Sequence, residues 1–171
     1  MAVQIKSHRN RSYAIYFSAY GAGMADLPPR LSDLLCFAIY SANGAFNRAY
    51  KPILDGLGLT YPQYVVMVAL WEKDDVTVGS LGERVFLESN TLTPLLKRLE
   101  AAGLLERARD PKDERQVRIR LTDAGRALQA RAADAPRRIA ETLDCGEAEE
   151  RIRALAAEIA RLRDVLEKNA A

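Results

Sequence analysis

The sequence predicts a mainly α fold carrying one small β-wing. Three observations lead there. Apolar residues recur at steps of three and four through most of the chain, the period of a helix with one covered face. Between Leu104 and Leu121 that period gives way, once, to the alternation of a strand. Long helical stretches stand at both ends, outside the shorter elements of the middle. With 171 residues, 49% of them hydrophobic, the chain can build a real core and is too apolar to be disordered.

Residues 1–30 fit no downstream pattern and read as a weakly ordered extension. Lys6, Arg9 and Arg11 precede Tyr13–Tyr20 in the manner of a leader peptide, but tyrosines and Ser18 break the apolar run and glycines follow it. Met24 is the natural first residue under this reading. Pro28 and Pro29 then lead into the stretch that organises the chain, a helix expected over Leu31–Leu54. Leu31, Leu35, Ala38, Ala42, Ala45, Ala49 and Ile53 form its buried face, with Cys36, Tyr40, Asn43, Asn47 and Tyr50 on a line beside it. Cys36 and Tyr40 are neighbours at i and i+4. Tyr50 lies fourteen residues from Cys36, about 21 Å along a helix axis, so a phenol at Tyr50 that touches the thiol must belong to a second chain.

Gly56 and Gly58 separate this helix from Tyr61–Glu72, capped by Thr60 with Gln63 as its return partner. A short helix is expected at 77–86, capped by Thr77, with Val78, Leu81 and Val85 inward. The next runs from Glu88 to Gly103, with Ser89 as cap, glycine at its end, and Leu92, Leu95, Leu96 and Leu99 inside. Its outer face offers Asn90, Thr91, Thr93, Lys97 and Arg98. Two helices joined by a tight turn, the second showing small polar groups and cations, match a helix-turn-helix with a recognition helix.

Leu104–Arg109 and Gln116–Leu121 read as a hairpin whose charged turn is Asp110–Arg115. Six cations against three anions between Arg107 and Arg120 make it locally +3, in a chain whose net charge is only +2. A basic wing of this kind can straddle a phosphate backbone. Thr122 opens a long Ala/Arg-rich helix that Pro136 should kink or break. Asp144 to Glu147 reads as the cap of a last helix whose Ile152, Leu155, Ile159, Leu162 and Leu166 form a narrow helix-pairing seam. The expected organisation is therefore a winged helix-turn-helix at 61–121, with 31–60 and 122–171 supplying the helical region of an intertwined homodimer.

Composition narrows the chemistry. His8 is the one imidazole and lies in the N-terminal extension, so a Ser-His-Asp or Cys-His site has poor footing. Two cysteines and one histidine fall short of a zinc set, no cofactor motif is present, and two thiols are too few for a disulfide scaffold. No residue run is long and apolar enough to span a membrane.

The element order, with a wing reading Arg109-Asp-Pro-Lys-Asp-Glu-Arg115, resembles the MarR family of dimeric winged-helix regulators. Cys36-Phe-Ala-Ile-Tyr40, Arg48-Ala-Tyr50 and Leu59-Thr-Tyr-Pro-Gln-Tyr64 resemble its organic hydroperoxide resistance branch, and the likeness covers about residues 27–168. The resemblance implies a cytoplasmic repressor on pseudo-palindromic double-stranded operator DNA. It further implies that Cys36 is the peroxide-reactive thiol, that Tyr50 and Tyr61 bond it with Tyr40 nearby, and that Cys145 is the resolving thiol. The implied DNA-contacting set is Ser89, Asn90, Thr91, Thr93, Pro94, Lys97 and Arg98 with Arg107, Arg109, Lys112, Asp113 and Arg115.

A thiolate attacks peroxide, and the sulfenic acid it forms condenses with a second thiol. No Lys, Arg or His lies within four residues of Cys36, so phenol donors and helix fields must stabilise the anion. An apolar pocket from Phe37, Phe46, Tyr61 and Val65 would favour an organic hydroperoxide over hydrogen peroxide. Two other functions stand beside the redox-sensing repressor: a repressor answering to a small aromatic ligand, with Cys36 incidental, and a thiol peroxidase that turns over. The last lacks a Thr/Arg environment for peroxide activation and leaves the wing without a purpose.

Overall fold

The computed structural model describes residues 30–142 and 149–170. The chain divides into two compact units, residues 1–42 and 43–171. The extension ahead of Arg30, the Asp144–Glu147 cap and Cys145 lie outside the described residues. Among the described residues no helix is long and apolar enough to cross a membrane.

The first unit corrects the expected start of the long helix. Leu31–Asp33 is a separate 3-10 turn, Leu34 is extended at φ −94° and ψ 110°, and helix α1 runs from Leu35 to Asp55. The turn closes through its own backbone, the Asp33 N–H donating to the Arg30 carbonyl at 3.0 Å and the Leu34 N–H to that of Leu31 at 3.2 Å. The Leu34 carbonyl then accepts from the Ala38 N–H to open α1. A second correction concerns the apolar face. Leu31 and Leu35 are 62% and 49% exposed, and Ala38 and Ala42 are exposed as well, so a single chain does not cover that stretch.

In the second unit, burial of the same helical line begins only at Ile53 and Leu54. Helix α2 is Tyr61–Glu72, and the Thr60 N–H and hydroxyl both donate to Gln63 Oε1, at 2.8 and 3.0 Å. Its Val66, Met67 and Leu70 are fully buried and seat the helix in the core. Helix α3, Val78–Val85, begins where Thr77 Oγ1 accepts from the Ser80 N–H at 3.2 Å. It ends at Phe86, a left-handed residue at φ 54°, where glycine would be the ordinary choice. The Phe86 ring lies under the Arg163 guanidinium, 3.8 Å from its centroid, a contact only a side chain can provide.

Helix α4, Ser89–Ala101, buries Leu92, Leu95, Leu96 and Leu99 as its spacing requires. Ser89 is its first residue and Glu88 the cap position, without a capping side-chain bond; the Glu88 carboxylate is turned to the Asn90 amide at 3.2 Å instead. Gly103 ends the helix region at φ +71°, and its neighbour Leu104 donates back to the Leu99 carbonyl at 3.0 Å.

Strands β2 (Leu105–Asp110) and β3 (Asp113–Leu121) pair from Leu105↔Leu121 to Asp110↔Asp113, with an irregularity at Arg109/Asp110. The turn is therefore Pro111-Lys112 alone, tighter than the six residues expected from composition. Asp110 explains it: its carboxylate accepts from the Lys112 N–H at 2.8 Å, while proline presets the first turn position. A third strand, β1 (Val76–Thr77), adds to β3 at Val76↔Ile119 and Thr77↔Arg118, giving the order β1-β3-β2. Two residues carry no readable alternation, so this strand escapes sequence reading.

Helix α5 is Asp123–Ala132 and α6 is Ala135–Thr142, so the chain breaks just before Pro136 as proline demands. Trp71 Nε1 donates to the Gly125 carbonyl at 2.9 Å and ties α2 to α5. Helix α7, Glu149–Ala170, leaves Ile152, Leu155, Ile159 and Leu166 between 40% and 59% exposed.

Candidate nucleic-acid interface and cysteine site

The buried leucines of α4 fix which residues face outward. Ser89, Asn90, Thr91, Pro94, Lys97 and Arg98 are exposed, and Thr93 is half-buried at the edge of the face. Thr91 donates to Asn90 Oδ1 at 3.1 Å, so the side chains at the helix start hold one another in place. Among the described residues no carboxylate pairs with Lys97 or Arg98.

The wing's cations divide into two groups. Arg115 is 91% exposed and is held fork to fork by Asp113, at 3.0 Å from Nε and 3.2 Å from Nη2. That pairing lowers the Asp113 carboxyl below its usual range. Arg109 and Lys112 are exposed, with no acidic partner among the described residues. Arg107 is turned inward to Glu100 of α4, Nε to Oε2 at 2.9 Å, which fastens the wing to that helix. Arg118 and Arg120, counted in the local charge of +3, pair with Asp75 and, for Arg118, with Asp110 as well. A cleft of about 380 Å³ opens where α3, α4 and the wing meet; Thr77, Ser89, Thr93, Arg107, Arg115 and Gln116 line it.

The residues expected around the thiol fall in both units. In the first unit Cys36 is exposed, Tyr40 is 74% exposed, and the Phe37 and Tyr40 rings lie 6.5 Å apart. In the second unit the Tyr50 and Tyr61 rings meet tilted at 5.0 Å and those of Tyr50 and Tyr64 at 5.9 Å. Burial pushes the Tyr50 and Tyr64 phenols upward, with the neighbouring tyrosines adding to the effect. An ordinary phenol is already a protonated donor at neutral pH, and burial moves these two further from ionising. Tyr64 is absent from the predicted set, although its i+3 spacing from Tyr61 on α2 was a signal for it.

Comparison with known proteins places this architecture. The family profile for transcriptional regulator SarA/Rot matches residues 48–131. The HTH-type transcriptional regulator TtmR of Methylorubrum extorquens is 56% identical over 106 residues, 62% of this chain. The match spans about half of that relative's length, 54%. The organic hydroperoxide resistance transcriptional regulator of Bacillus subtilis is 46% identical over 107 residues, 63% of this chain and 73% of the relative.

Among solved structures, reduced AbfR bound to DNA is 38% identical with a TM-score of 0.63, over 78% of this chain and 96% of that one. AbfR, a protein of Staphylococcus epidermidis, is also solved overoxidised on DNA (35% identical, TM-score 0.66, 80% and 95% covered). A disulfide form is known too (37% identical, TM-score 0.56, 78% and 92% covered). With its helix-turn-helix, its three-stranded wing and these relatives, the chain belongs to the winged-helix MarR/SarA-type transcriptional regulators.

Proposed function

We propose that this chain is a homodimeric repressor that binds operator DNA while Cys36 is reduced and releases it once organic hydroperoxide has oxidised that thiol. The observation that carries the reading is the setting of Cys36. The thiol is exposed on α1 beside apolar residues that are themselves exposed, Leu35 at 49% and Phe37 at 36%. Water-exposed apolar surface of this kind on one chain fits burial by a second. Fourteen residues of helix separate Cys36 from Tyr50, about 21 Å. The Tyr50–Tyr61 pair of the partner chain is therefore the source of phenol donors for the thiolate.

The chemistry then runs in two steps. The Cys36 thiolate attacks one peroxide oxygen, the O–O bond breaks, and the alkoxide leaves and takes up a proton as the alcohol. The sulfur is left as sulfenic acid. The Cys145 thiol of the other subunit attacks that sulfur, an S–S bond forms, and water departs. AbfR is solved overoxidised on DNA and, separately, in a disulfide form. Those two states favour the bridge, rather than oxidation of one sulfur alone, as the releasing event. Bridging shifts the two recognition helices out of register with successive major grooves. On DNA, α4 presents Asn90, Thr91, Thr93, Lys97 and Arg98, and the wing presents Arg109, Lys112 and Arg115.

Titration of a protein–operator complex with cumene hydroperoxide, following DNA release and thiol state together, tests the reading. Release by wild type and retention by Cys36→Ser are expected. Release from Cys36→Ser as readily as from wild type would leave Cys36 incidental and favour a ligand-responsive regulator. A non-reducing gel should show a covalent dimer that Cys145→Ser lacks.

A further inference from the structure

Arg118 sits mid-wing on β3, and each of its three guanidinium nitrogens donates to a protein oxygen. Nε donates to Asp75 Oδ1 at 2.6 Å, Nη1 donates to Asp110 Oδ2 at 2.9 Å, and Nη2 donates to the Asp75 main-chain oxygen. Its two acidic partners stand at opposite ends of the wing. Asp75 is at the root, one residue before β1; Asp110 closes β2 at the tip and is only 7% exposed. Asp110 also accepts from the Lys112 N–H that closes the tip turn.

The root is itself over-determined. Asp75 is left-handed at φ 55°, a conformation aspartate tolerates better than most residues, and both its carbonyl and its carboxylate meet Arg118. Arg120, two residues along the same face of β3, adds an ion pair to Asp75 Oδ1 at 3.0 Å. Asp74 fastens the same root to the end of β3 and to α5: Oδ1 accepts from the Leu121 N–H at 2.9 Å and Oδ2 from Arg126 at 2.7 Å. A guanidinium with three protein acceptors has little left for a phosphate. Arg118 therefore belongs to the frame of the wing rather than to its nucleic-acid surface.

We propose that the Asp74-Asp75 corner and Arg118 form a clamp that sets the attitude of the wing on DNA, Arg118 being a positioning residue that touches no nucleotide. The inference rests on the DNA-binding reading above. It makes a prediction opposite in sign to a simple charge tally. Asp75→Asn removes a negative charge beside two wing arginines. If those arginines were phosphate contacts restrained by Asp75, binding would tighten; if they are clamp members, binding weakens.

The test uses the full-length reduced protein and a duplex that wild type selects from a random-sequence pool. Asp75→Asn and Arg118→Met should each weaken binding at least tenfold. Both should lose minor-groove hydroxyl-radical protection at the flanks while keeping dimethyl sulfate protection in the major groove. The double variant should bind no worse than the weaker single, as expected of residues acting as one unit. General loss of structure would instead abolish both protections together. Should Arg118→Met fail to fold by circular dichroism, Asp75→Asn decides alone, since it keeps the side-chain volume and an acceptor. Wild-type or tighter binding by Asp75→Asn overturns the clamp. Failure of wild type to select any duplex overturns the DNA-binding reading, and the clamp falls with it.

Discussion

Gly125 offers a sharp test of how closely the wing root packs on the following helix. It is buried in the first turn of α5, its N–H donates to the Thr122 hydroxyl at 3.0 Å, and its carbonyl receives the Trp71 indole at 2.9 Å. A Cβ at this position would stand 1.9 Å from the Leu104 carbonyl oxygen, 3.0 Å from the carbon behind it and 3.2 Å from Leu121 Cδ2. Helix propensity alone favours alanine over glycine by about 0.8–1 kcal/mol. Steric cost works against it and is larger. The obstructing atom is backbone, and it already accepts from the Thr122 N–H at 3.2 Å, so relief means displacing β2 from α5 and losing that bond. Overpacking of this kind costs about 1–3 kcal/mol or more, and the bond adds about 1 kcal/mol.

Gly125→Ala should therefore lose about 1–3 kcal/mol, lowering the melting temperature by roughly 2–12 °C in a chain of this size. Gly79→Ala is the matched control. Gly79 is helical too, but nothing lies within 4 Å of its Cβ position, so that variant should be neutral or stabilised by up to about 1 kcal/mol. Both are read by urea unfolding at one fixed protein concentration. Equal stabilities for the two variants would refute the reasoning, because they would show that β2 yields freely.

Leu96→Ala removes a fully buried side chain from the inner face of α4 and should cost about 2–5 kcal/mol in urea unfolding; a loss below 1 kcal/mol would mean that face is loosely packed. Hydrogen bonds from Arg120 and Arg118 hold the Asp75 carboxyl down at about 2, and Asp110 and Asp113 are lowered as well. Depressed carboxyls stabilise the fold above the ordinary carboxylate range, near pH 4, and that stability goes as pH falls toward about 2. The urea midpoint should drop across that window and drop less in Asp75→Asn; parallel curves would clear Asp75 of the effect. Because burial raises Tyr50 and Tyr64, ultraviolet absorbance titration should show phenols ionising above the usual value of 10, and Tyr50→Phe should remove part of that late fraction.

Much of the winged helix-turn-helix is legible in the sequence. Leu92, Leu95, Leu96 and Leu99 announce their helix by spacing, and Thr60 with Gln63 and Thr77 announce two helix starts by side-chain chemistry; the structure bears out each. What escaped was set by tertiary context. Val76-Thr77 is too short to show a period, and it becomes a strand because β3 offers it a free edge. Ser89 has the right chemistry for a cap, yet the cap position falls one residue earlier. Arg118 and Arg120 enter the sequence reading only as part of the local charge of +3, because a linear sequence does not show that Asp75, more than forty residues away, will meet them. The apolar spacing places the start of α1 at Leu31, four residues early, because Leu31 keeps that spacing while its backbone closes a separate 3-10 turn and Leu34 is extended. Stability of the core and reach of the side chains are thus recorded differently in sequence: the first as local period, the second only in the fold.

The exposed leucines and isoleucines of α7, with Leu31 and Leu35 ahead of them, have a consequence for regulation. If pairing with a second copy dries those side chains, then folding and association are one equilibrium, and dilution acts as a denaturant. Scarce protein would be both unpaired and unstable, open to proteolysis; abundant protein would be paired and long-lived. Under the proposed homodimer, DNA occupancy would then climb more steeply than the number of chains made, and binding would set in over a narrow range of synthesis.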